Sequence, residues 1–216
     1  MYEAVLYEKL SNKRVSCNIC QRKCTISDGE RGWCLTRINR EGKLYSLIYG
    51  RVSTIMVSPI EKKPVFHFYP ASKWLSIGSV GCNFRCPGCQ NSEIAHDKLN
   101  NIDSRTEFIV AESLLKIAKE KGCKGISWTY NEPTLWFEYT LDGAKLAKRE
   151  NLSTNYATNG FITTEALELI GPYLDVFRVD IKGFSNNSYR RIARINDFTG
   201  ILKVTEFAKK KHNTGI

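Results

Sequence analysis

The chain has no long apolar segment of the kind that membrane proteins use. No stretch of its 216 residues approaches the ~20 apolar residues that are needed to span a bilayer. Residues 1–10 contain no basic stretch followed by an apolar run, which a secretory signal would need. An internal repeat and a low-complexity segment are also missing. We therefore expect a soluble, cytoplasmic protein with no membrane partner.

Acidic residues are fewer than basic ones, since the chain has 22 Asp and Glu residues and 32 Lys and Arg residues, which give a net charge of +10. With 42% hydrophobic and 25% charged residues, the composition is otherwise that of a globular protein, which excludes a disordered or fibrous chain. The only basic run is Lys209, Lys210 and Lys211, on a predicted terminal helix. A solvated helix face explains this run, since nucleic-acid surfaces combine basic residues with interleaved aromatics. A nucleic-acid partner is therefore not expected.

Cysteine, in contrast, is plentiful, with eight residues. In a reducing compartment, clustered cysteines bind metals or carry out redox chemistry more often than they form disulfides. We call the cysteines near the start of the chain the first cysteine set: Cys17, Cys20, Cys24 and Cys34. We call the later group the second cysteine set: Cys82, Cys86 and Cys89. The remaining Cys123 is expected to be a buried core side chain.

The sequence pattern changes near residue 70. Residues 1–70 predict a small Cys-rich segment of short β-type runs, and residues 71–216 predict alternating strands and helices. The predicted strands are 74–80, 125–130, 152–158 and 176–181. This alternation indicates an α/β fold with right-handed βαβ units and a parallel sheet. Because four units are followed by a helix and no fifth strand, we interpret residues 71–216 as a partial (β/α) barrel, truncated after four units, rather than a small open sheet.

Four helices are predicted between and after these strands. Ser104 and Glu107 form a capping box, so the first helix is expected to begin there and to place Phe108 on its apolar face. Gly122 is expected at the end of that helix. The other predicted helices are 133–150, 164–174 and 201–212.

The second cysteine set has the spacing C-x3-C-x2-C and directly follows the first predicted strand. Three thiolates at this spacing can hold three corners of a cubane iron–sulfur cluster, whose usual ligand set is four. The missing ligand would leave one iron open to a small molecule, just as catalytic zinc sites keep one position free. Two alternatives stay open: a zinc site completed by His67 or His96, and a closed cluster completed by another cysteine.

The first cysteine set has the spacing C-x2-C-x3-C-x9-C and supplies four ligands. A closed tetrahedral zinc site and a closed auxiliary iron–sulfur cluster both satisfy that count. A metal is expected, because this small polar segment has few other means of stabilisation. Zinc and iron stay open, and an iron cluster here would be able to relay electrons to the second cysteine set.

The chain resembles radical S-adenosylmethionine (SAM) enzymes, whose signature is C-x3-C-x2-C after the first strand of a β/α barrel. Its wider context is similar to the radical SAM protein of the AmmeMemoRadiSam system, which is related to pyruvate formate-lyase activating enzymes. The likeness covers nearly the whole chain. It rests on Cys-Asn-Ile-Cys20, Arg31-Gly-Trp-Cys34, Gly42-Lys-Leu-Tyr-Ser46, Pro59-Ile-Glu-Lys-Lys-Pro64, Thr129-Tyr-Asn-Glu-Pro-Thr134, Thr158-Asn-Gly-Phe161 and Val179-Asp-Ile-Lys-Gly183.

This resemblance implies that Cys82, Cys86 and Cys89 are the catalytic centre and hold a [4Fe-4S] cluster. The open iron would be chelated by SAM. One electron would then split SAM into methionine and a 5′-deoxyadenosyl radical, which abstracts hydrogen from a substrate. The implied partners are SAM, an electron donor such as ferredoxin or flavodoxin, and a protein substrate or AmmeMemo-type proteins.

The resemblance also implies that polar residues at later strand ends bind SAM, because β/α barrels place their sites there. These residues are Asn131, Glu132, Thr158, Asn159, Gly160, Asp180 and Lys182. Glu132 matches the position that receives the SAM ammonium group, Gly160 would let the backbone approach the cofactor, and Lys182 would neutralise the SAM carboxylate.

The sequence departs from the family pattern in one position of the second cysteine set. The family usually has an aromatic residue before the third cysteine, and Gly88 stands there, so the adenine contact is expected either to weaken or to shift to Phe84. The competing functions are a zinc-bearing nucleic-acid-binding or structural protein and an inactive, truncated remnant.

Overall fold

Short strands dominate the beginning of the chain, and helices alternate with strands later. The computed structural model describes residues 1–96, 98–100, 102–212 and 215. Its strands are β1 (Tyr2–Glu3), β2 (Tyr7–Lys9), β3 (Val15–Cys17), β4 (Thr25–Ile26), β5 (Arg37–Arg40), β6 (Lys43–Ser46), β7 (Arg51–Val52), β8 (Thr54–Pro59), β9 (Lys73–Gly78), β10 (Glu107–Phe108), β11 (Gly125–Trp128), β12 (Ser153–Thr158) and β13 (Val176–Val179). Its α-helices are α1 (Ser92–Ala95), α2 (Ile102–Arg105), α3 (Ala111–Glu120), α4 (Phe137–Arg149), α5 (Thr164–Ile170), α6 (Asn186–Ala193) and α7 (Thr199–His212). Single 3-10 turns cover Ile60–Lys62, Pro133–Trp136 and Gly171–Tyr173.

The largest sheet has five strands in the order β13-β12-β11-β9-β8. Strands β9, β11, β12 and β13 are parallel, and β8 pairs antiparallel with β9 at one edge. All four residues of β11 are buried, which is typical of a parallel strand covered on both faces. The predicted α/β class with a parallel sheet is therefore confirmed. The carboxyl ends of the four parallel strands lie along one edge of the sheet, where the loops after β9, β11, β12 and β13 meet.

Helices α3, α4 and α7 cover this sheet by packing against its parallel strands. Helix α3 buries Ala111, Leu114, Leu115 and Ala118, as its helical spacing predicts. Its predicted start was wrong, because Ser104 lies inside α2 and the residue preceding α3 is Val110. Phe108 is not on the helix: it lies in β10, which pairs with β7, and its side chain is 57% exposed.

The first cysteine set lies in a β-type segment that docks onto the loop after β12. Strands β2, β3 and β4 form one small sheet, and β1, β6 and β5 form another. The backbone of Cys20 forms an antiparallel bridge with Ile162. On either side of it, Gln21 N–H donates to the Phe161 carbonyl at 3.1 Å and Thr163 N–H donates to the Ile19 carbonyl at 3.1 Å. The loop that carries Cys20 is therefore held beside the end of β12.

Beside β13, Gly215 forms a parallel bridge with Val176, and the Phe177 N–H donates to the Gly215 carbonyl at 2.8 Å.

Within the described part of the chain, no helix combines the length and apolar character that crossing a bilayer requires. Cys123 is buried, as expected. Lys210 and Lys211 pair with Glu206 and Glu168, which agrees with a solvated basic face on α7.

Candidate active site at the strand ends

A cavity of about 610 Å³ opens at the carboxyl ends of the parallel strands. Its lining includes the second cysteine set and six of the seven residues predicted to bind SAM: Asn131, Glu132, Thr158, Asn159, Asp180 and Lys182. Gly160 is the exception and does not line the cavity. Residues up to 100 positions apart in sequence, such as Cys82 and Lys182, therefore come together because four parallel strands end at the same edge of the sheet.

Asn131 fixes the point at which the chain leaves β9 toward the second cysteine set. Its side-chain oxygen accepts from Ser79 N–H at 2.9 Å, and its amide nitrogen donates to the carbonyls of Val80 and Gly81, both at 3.2 Å. The side-chain amide is thus engaged with the protein backbone. In this structure Asn131 positions the loop.

The thiols of the second cysteine set lie in an environment that disfavours an isolated negative charge. Burial raises the pKa of the Cys82 thiol to about 12, and the nearby charge of Glu132 adds to that rise. Burial also raises the pKa of Cys86, which the positive charge of Lys182 partly offsets. A bound cationic iron centre would remove this penalty, because metal ligation replaces the thiol proton.

As the side chains stand, no three His, Cys, Asp or Glu residues of the described chain are gathered as a ready-made metal site. The donor set nevertheless fits an open cluster in number and type. Three thiols line one cavity, and the Cys82 sulfur already accepts a hydrogen bond from Phe84 N–H at 3.3 Å. Binding would require these cysteine side chains to rotate toward a common centre.

Glu132 is a buried carboxylate that is held by three donors. One of its oxygens accepts from Thr134 N–H at 3.0 Å and from the Thr158 hydroxyl at 2.6 Å, and the other accepts from Asn159 N–H at 2.8 Å. Only 3% of the residue is exposed, and burial raises its pKa, although these hydrogen bonds lower it. A buried carboxylate in this setting gains most from a cationic ligand group.

Asn159 connects the end of β12 to the second cysteine set. Its amide nitrogen donates to the Asn83 side-chain oxygen at 2.7 Å, and its oxygen accepts from Phe161 N–H at 3.0 Å. Asn83 directly follows Cys82 in the chain. Together with Asn131, this residue fixes the cysteine loop from a second strand end.

Gly160 has a packing role in the structure. Its φ angle is +72°, and a Cβ there would stand 2.8 Å from side-chain atoms of both Ile201 and Val179. The glycine is thus needed for close packing against α7 and β13. The sequence analysis explained this glycine differently, by a close approach of its backbone to the cofactor.

Asp180 and Lys182 follow β13 at the opposite side of the cavity. The Lys182 ammonium lies 3.3 Å from an Asp180 oxygen, and Arg178 pairs with the other oxygen of the same carboxylate. The Lys182 backbone N–H donates to the Tyr189 hydroxyl at 3.0 Å. Because Arg178 and Lys182 share one carboxylate, these three side chains keep one net positive charge, which an anionic ligand can use.

Tyr130 and Asn91 also line the cavity, although neither was predicted as a site residue. Tyr130 adopts a φ of +73°, which is uncommon for a bulky residue, and it precedes the Asn131 and Glu132 pair. Asn91 donates to the Tyr130 carbonyl at 2.7 Å. His96 also lines the cavity, whereas His67 lies in an exposed bend and is absent from the lining.

Phe84 is 1% exposed, although it borders the cavity. Its ring packs against Phe161 with a centroid distance of 5.6 Å and against Tyr189 at 6.2 Å. Gly88, in contrast, has open space where a side chain would be. Of these two positions, only Phe84 places an aromatic ring at the border of the cavity.

The first cysteine set lies near the second, and two arginines and a tryptophan connect their loops. The Arg22 guanidinium lies 4.3 Å from the Trp33 ring centroid, and that of Arg85 lies 5.6 Å from the same ring. Arg22 Nε donates to the Asn83 carbonyl at 2.8 Å, and Arg85 donates to the Cys82 carbonyl at 2.6 Å. Cation–π contacts and hydrogen bonds therefore join the two cysteine loops.

Comparison with known proteins places this geometry in a family. Residues 76–215 match the radical SAM superfamily. Over 210 residues, the chain is 39% identical to Uncharacterized protein MJ0808 of Methanocaldococcus jannaschii. The aligned region covers 97% of this chain and 61% of that protein. Over 194 residues, the chain is 23% identical to Uncharacterized protein MJ0674 of the same organism. That aligned region covers 87% of this chain and 52% of the relative. The chain thus spans between half and two thirds of the length of these relatives. The matched region covers well over half of the chain, which belongs to the radical SAM superfamily.

Proposed function

We propose that this chain holds a [4Fe-4S] cluster through Cys82, Cys86 and Cys89, binds SAM beside it, and abstracts hydrogen from a substrate. Family membership supports this general chemistry. For these residues, the proposal is carried by the cavity of about 610 Å³, which three cysteines line together with Glu132 and Lys182. When bound, the cluster supplies the electron that splits SAM into methionine and a 5′-deoxyadenosyl radical.

Two charged residues of the cavity, Glu132 and Lys182, would orient the amino-acid part of SAM. Glu132 is a buried carboxylate fixed by Thr134, Thr158 and Asn159, so it presents its charge at a set position. An ammonium group there forms a charge-assisted hydrogen bond, which is stronger than a neutral one. Lys182 would attract the carboxylate of the same ligand.

The neutral residues would position the cysteine loop. Asn131 holds the loop from the end of β11, and Asn159 holds it from the end of β12. Catalytic groups need placement to within about 0.5 Å, which is supplied by supporting hydrogen bonds. We assign both residues to this role and assign the adenine contact to Phe84.

The proposal extends to architecture and partners. We divide the chain into a Cys-rich segment, residues 1–70, and a radical SAM unit, residues 71–216. The four parallel strands β9, β11, β12 and β13 support a partial (β/α) barrel. The motifs similar to activating enzymes and to the AmmeMemoRadiSam protein support a cytoplasmic enzyme. Its partners would be an electron donor of the ferredoxin or flavodoxin class and a protein substrate.

A second metal at the first cysteine set completes the proposal, as zinc or as an auxiliary iron–sulfur cluster. The set supplies four thiols. Three of them, Cys17, Cys20 and Cys34, are buried, and Cys24 is half-buried. Four thiolates close the coordination of either metal, so this site would stabilise the segment and would not be the site where SAM binds.

The test is to reconstitute the full chain with iron and sulfide in the absence of oxygen and to measure bound iron, bound sulfide and SAM binding by equilibrium dialysis. We expect SAM binding to depend on the cluster and to be lost in Cys86→Ala. The matched control is Cys123→Ala, since Cys123 is buried outside both cysteine sets. Full SAM binding by Cys86→Ala, or a protein that takes up only zinc and ignores SAM, would contradict the proposal.

A further inference from the structure

The first cysteine set is gathered in a buried part of the β-type segment. Cys17 N–H donates to the Cys24 carbonyl at 2.9 Å, which places these two cysteines side by side, and Cys17 and Cys34 belong to the same packed core. Cys20 is buried as well. A buried thiolate needs positive charge nearby, which a bound metal ion supplies.

Two arginines lie near this set. Arg22 lies close enough to Cys20 and Cys24 for their charges to interact, and its guanidinium donates to the carbonyls of Asn83, Ala193 and Arg194 rather than to a carboxylate. Its positive charge is therefore not neutralised by these hydrogen bonds.

Arg37 is the second, and it is deeply buried. Only 1% of it is exposed, and two of its nitrogens bind the Glu138 carboxylate at 2.9 and 2.8 Å. Its Nε is buried and has no hydrogen-bond partner among the residues that the structure describes. The charge of Arg37 interacts with Cys17 and Cys34. A buried N–H without an acceptor costs about 1–3 kcal/mol, and a thiolate is an acceptor that would remove this cost.

We propose that Cys17, Cys20, Cys24 and Cys34 bind one divalent zinc-class ion as a tetrathiolate, that Arg22 offsets its negative charge, and that Arg37 Nε donates to one of its sulfurs. This inference rests on the second metal of the proposed function and decides its type. Cys17 and Cys34 belong to the packed core, together with Ile19 and Ile26. A single ion with metal–sulfur bonds of about 2.3 Å needs little space there, whereas a cubane brings in four irons and four sulfides.

The first test uses the full chain with Cys82, Cys86 and Cys89 all replaced by alanine, so the result does not depend on the radical SAM cluster. Cobalt(II) is titrated into the metal-free protein as a spectroscopic substitute for zinc. We expect one bound cobalt with thiolate charge-transfer bands, displaced by zinc, and binding at least tenfold weaker when Cys20→Ala is added. Cobalt binding without those bands, or preferential assembly of an iron–sulfur cluster in this triple variant, overturns the inference.

The second test addresses the arginines in the same background. Arg22→Gln is expected to weaken cobalt binding about tenfold, and Arg22→Lys is expected to restore most of the affinity, because the charge returns. Arg85→Gln is the matched control, since Arg85 also contacts Trp33 but lies on the second cysteine loop. Equal cobalt affinities in Arg22→Gln and Arg85→Gln contradict the role of Arg22.

Arg37 needs a paired replacement, because removing one partner of a buried ion pair destabilises the fold whatever the metal does. Arg37→Met combined with Glu138→Leu removes both charges and keeps apolar volume in their place. We expect this double variant to fold and to bind cobalt about tenfold more weakly than its parent. An unchanged affinity in the folded double variant would refute the contribution of Arg37.

Discussion

The side chain of Asn131 offers the most quantitative test of how the cavity is built. Asn131→Ala removes three hydrogen bonds, one from Ser79 N–H and two to the carbonyls of Val80 and Gly81. Each contributes about 0.5–1.5 kcal/mol, and the groups left behind are buried, so we expect the free energy of unfolding to fall by about 2–4 kcal/mol.

Urea unfolding of the metal-free chain measures this change. The midpoint should shift while the slope stays constant, because the amount of surface exposed on unfolding is unchanged. Asn91→Ala is the matched control: it borders the same cavity but loses a single hydrogen bond, to the Tyr130 carbonyl, so about 1 kcal/mol is expected. Asn131→Asp keeps the acceptor for Ser79 and loses both donated bonds, so it should be destabilised as well.

The functional consequence separates a positioning residue from a merely stabilising one. At a temperature where Asn131→Ala is still folded, we expect it to retain fewer irons after reconstitution than Asn91→Ala, because the cysteine loop is no longer fixed to β11. Equal stability losses in the two variants, or a wild-type iron content in folded Asn131→Ala, would refute this reasoning.

Three further predictions concern other parts of the site. Gly122→Ala, at a positive φ with open space around it, should cost about 1 kcal/mol, whereas Gly160→Ala should cost about 3 kcal/mol because it also meets packed side chains; thermal unfolding distinguishes them. Burial raises the pKa of Glu132 above 4.5, so the folded state binds that proton more tightly than the unfolded state. The free energy of unfolding should therefore fall as pH rises through the raised pKa. Urea unfolding measured at each pH should show this decline in wild type and not in Glu132→Gln. Lys182→Gln should weaken SAM binding about tenfold in equilibrium dialysis, and Asp180→Asn should change it much less.

Much of the fold follows from local sequence patterns. The four parallel strands fall within or at the predicted ranges, because each is a short, largely apolar run between turn signals. The helix that begins after Pro133 and the helix end at Gly122 follow from the fixed φ of proline and the freedom of glycine at a positive φ.

Other elements depend on contacts that a local pattern does not contain. The capping-box sequence at Ser104 was misleading because β10 pairs with β7, and this pairing draws Glu107 and Phe108 out of the helix. Helix α6 was not predicted, since its sequence is mostly polar. The pairing of β8 with β9 joins the N-terminal part of the chain to the main sheet and likewise requires long-range contacts.

The sequence predicted which residues form the site, but it did not predict the role of each residue. Strand ends, cysteine spacing and the resemblance to radical SAM enzymes together predict that Cys82, Glu132 and Lys182 share one cavity, since parallel strands end at a common edge. They do not reveal that Asn131 is engaged with the backbone or that Gly160 packs against α7. Those roles depend on side-chain hydrogen bonds and close packing, which only the folded chain defines.

In the proposed function, the second cysteine set holds a cluster with one iron left open for SAM. The most direct measurement is the electron paramagnetic resonance spectrum of the reconstituted, reduced chain, recorded before and after SAM is added. We predict the signal of a reduced cubane that changes on addition of SAM in wild type and in Cys20→Ala and is missing in Cys86→Ala. A cluster signal that is the same with and without SAM would contradict the account.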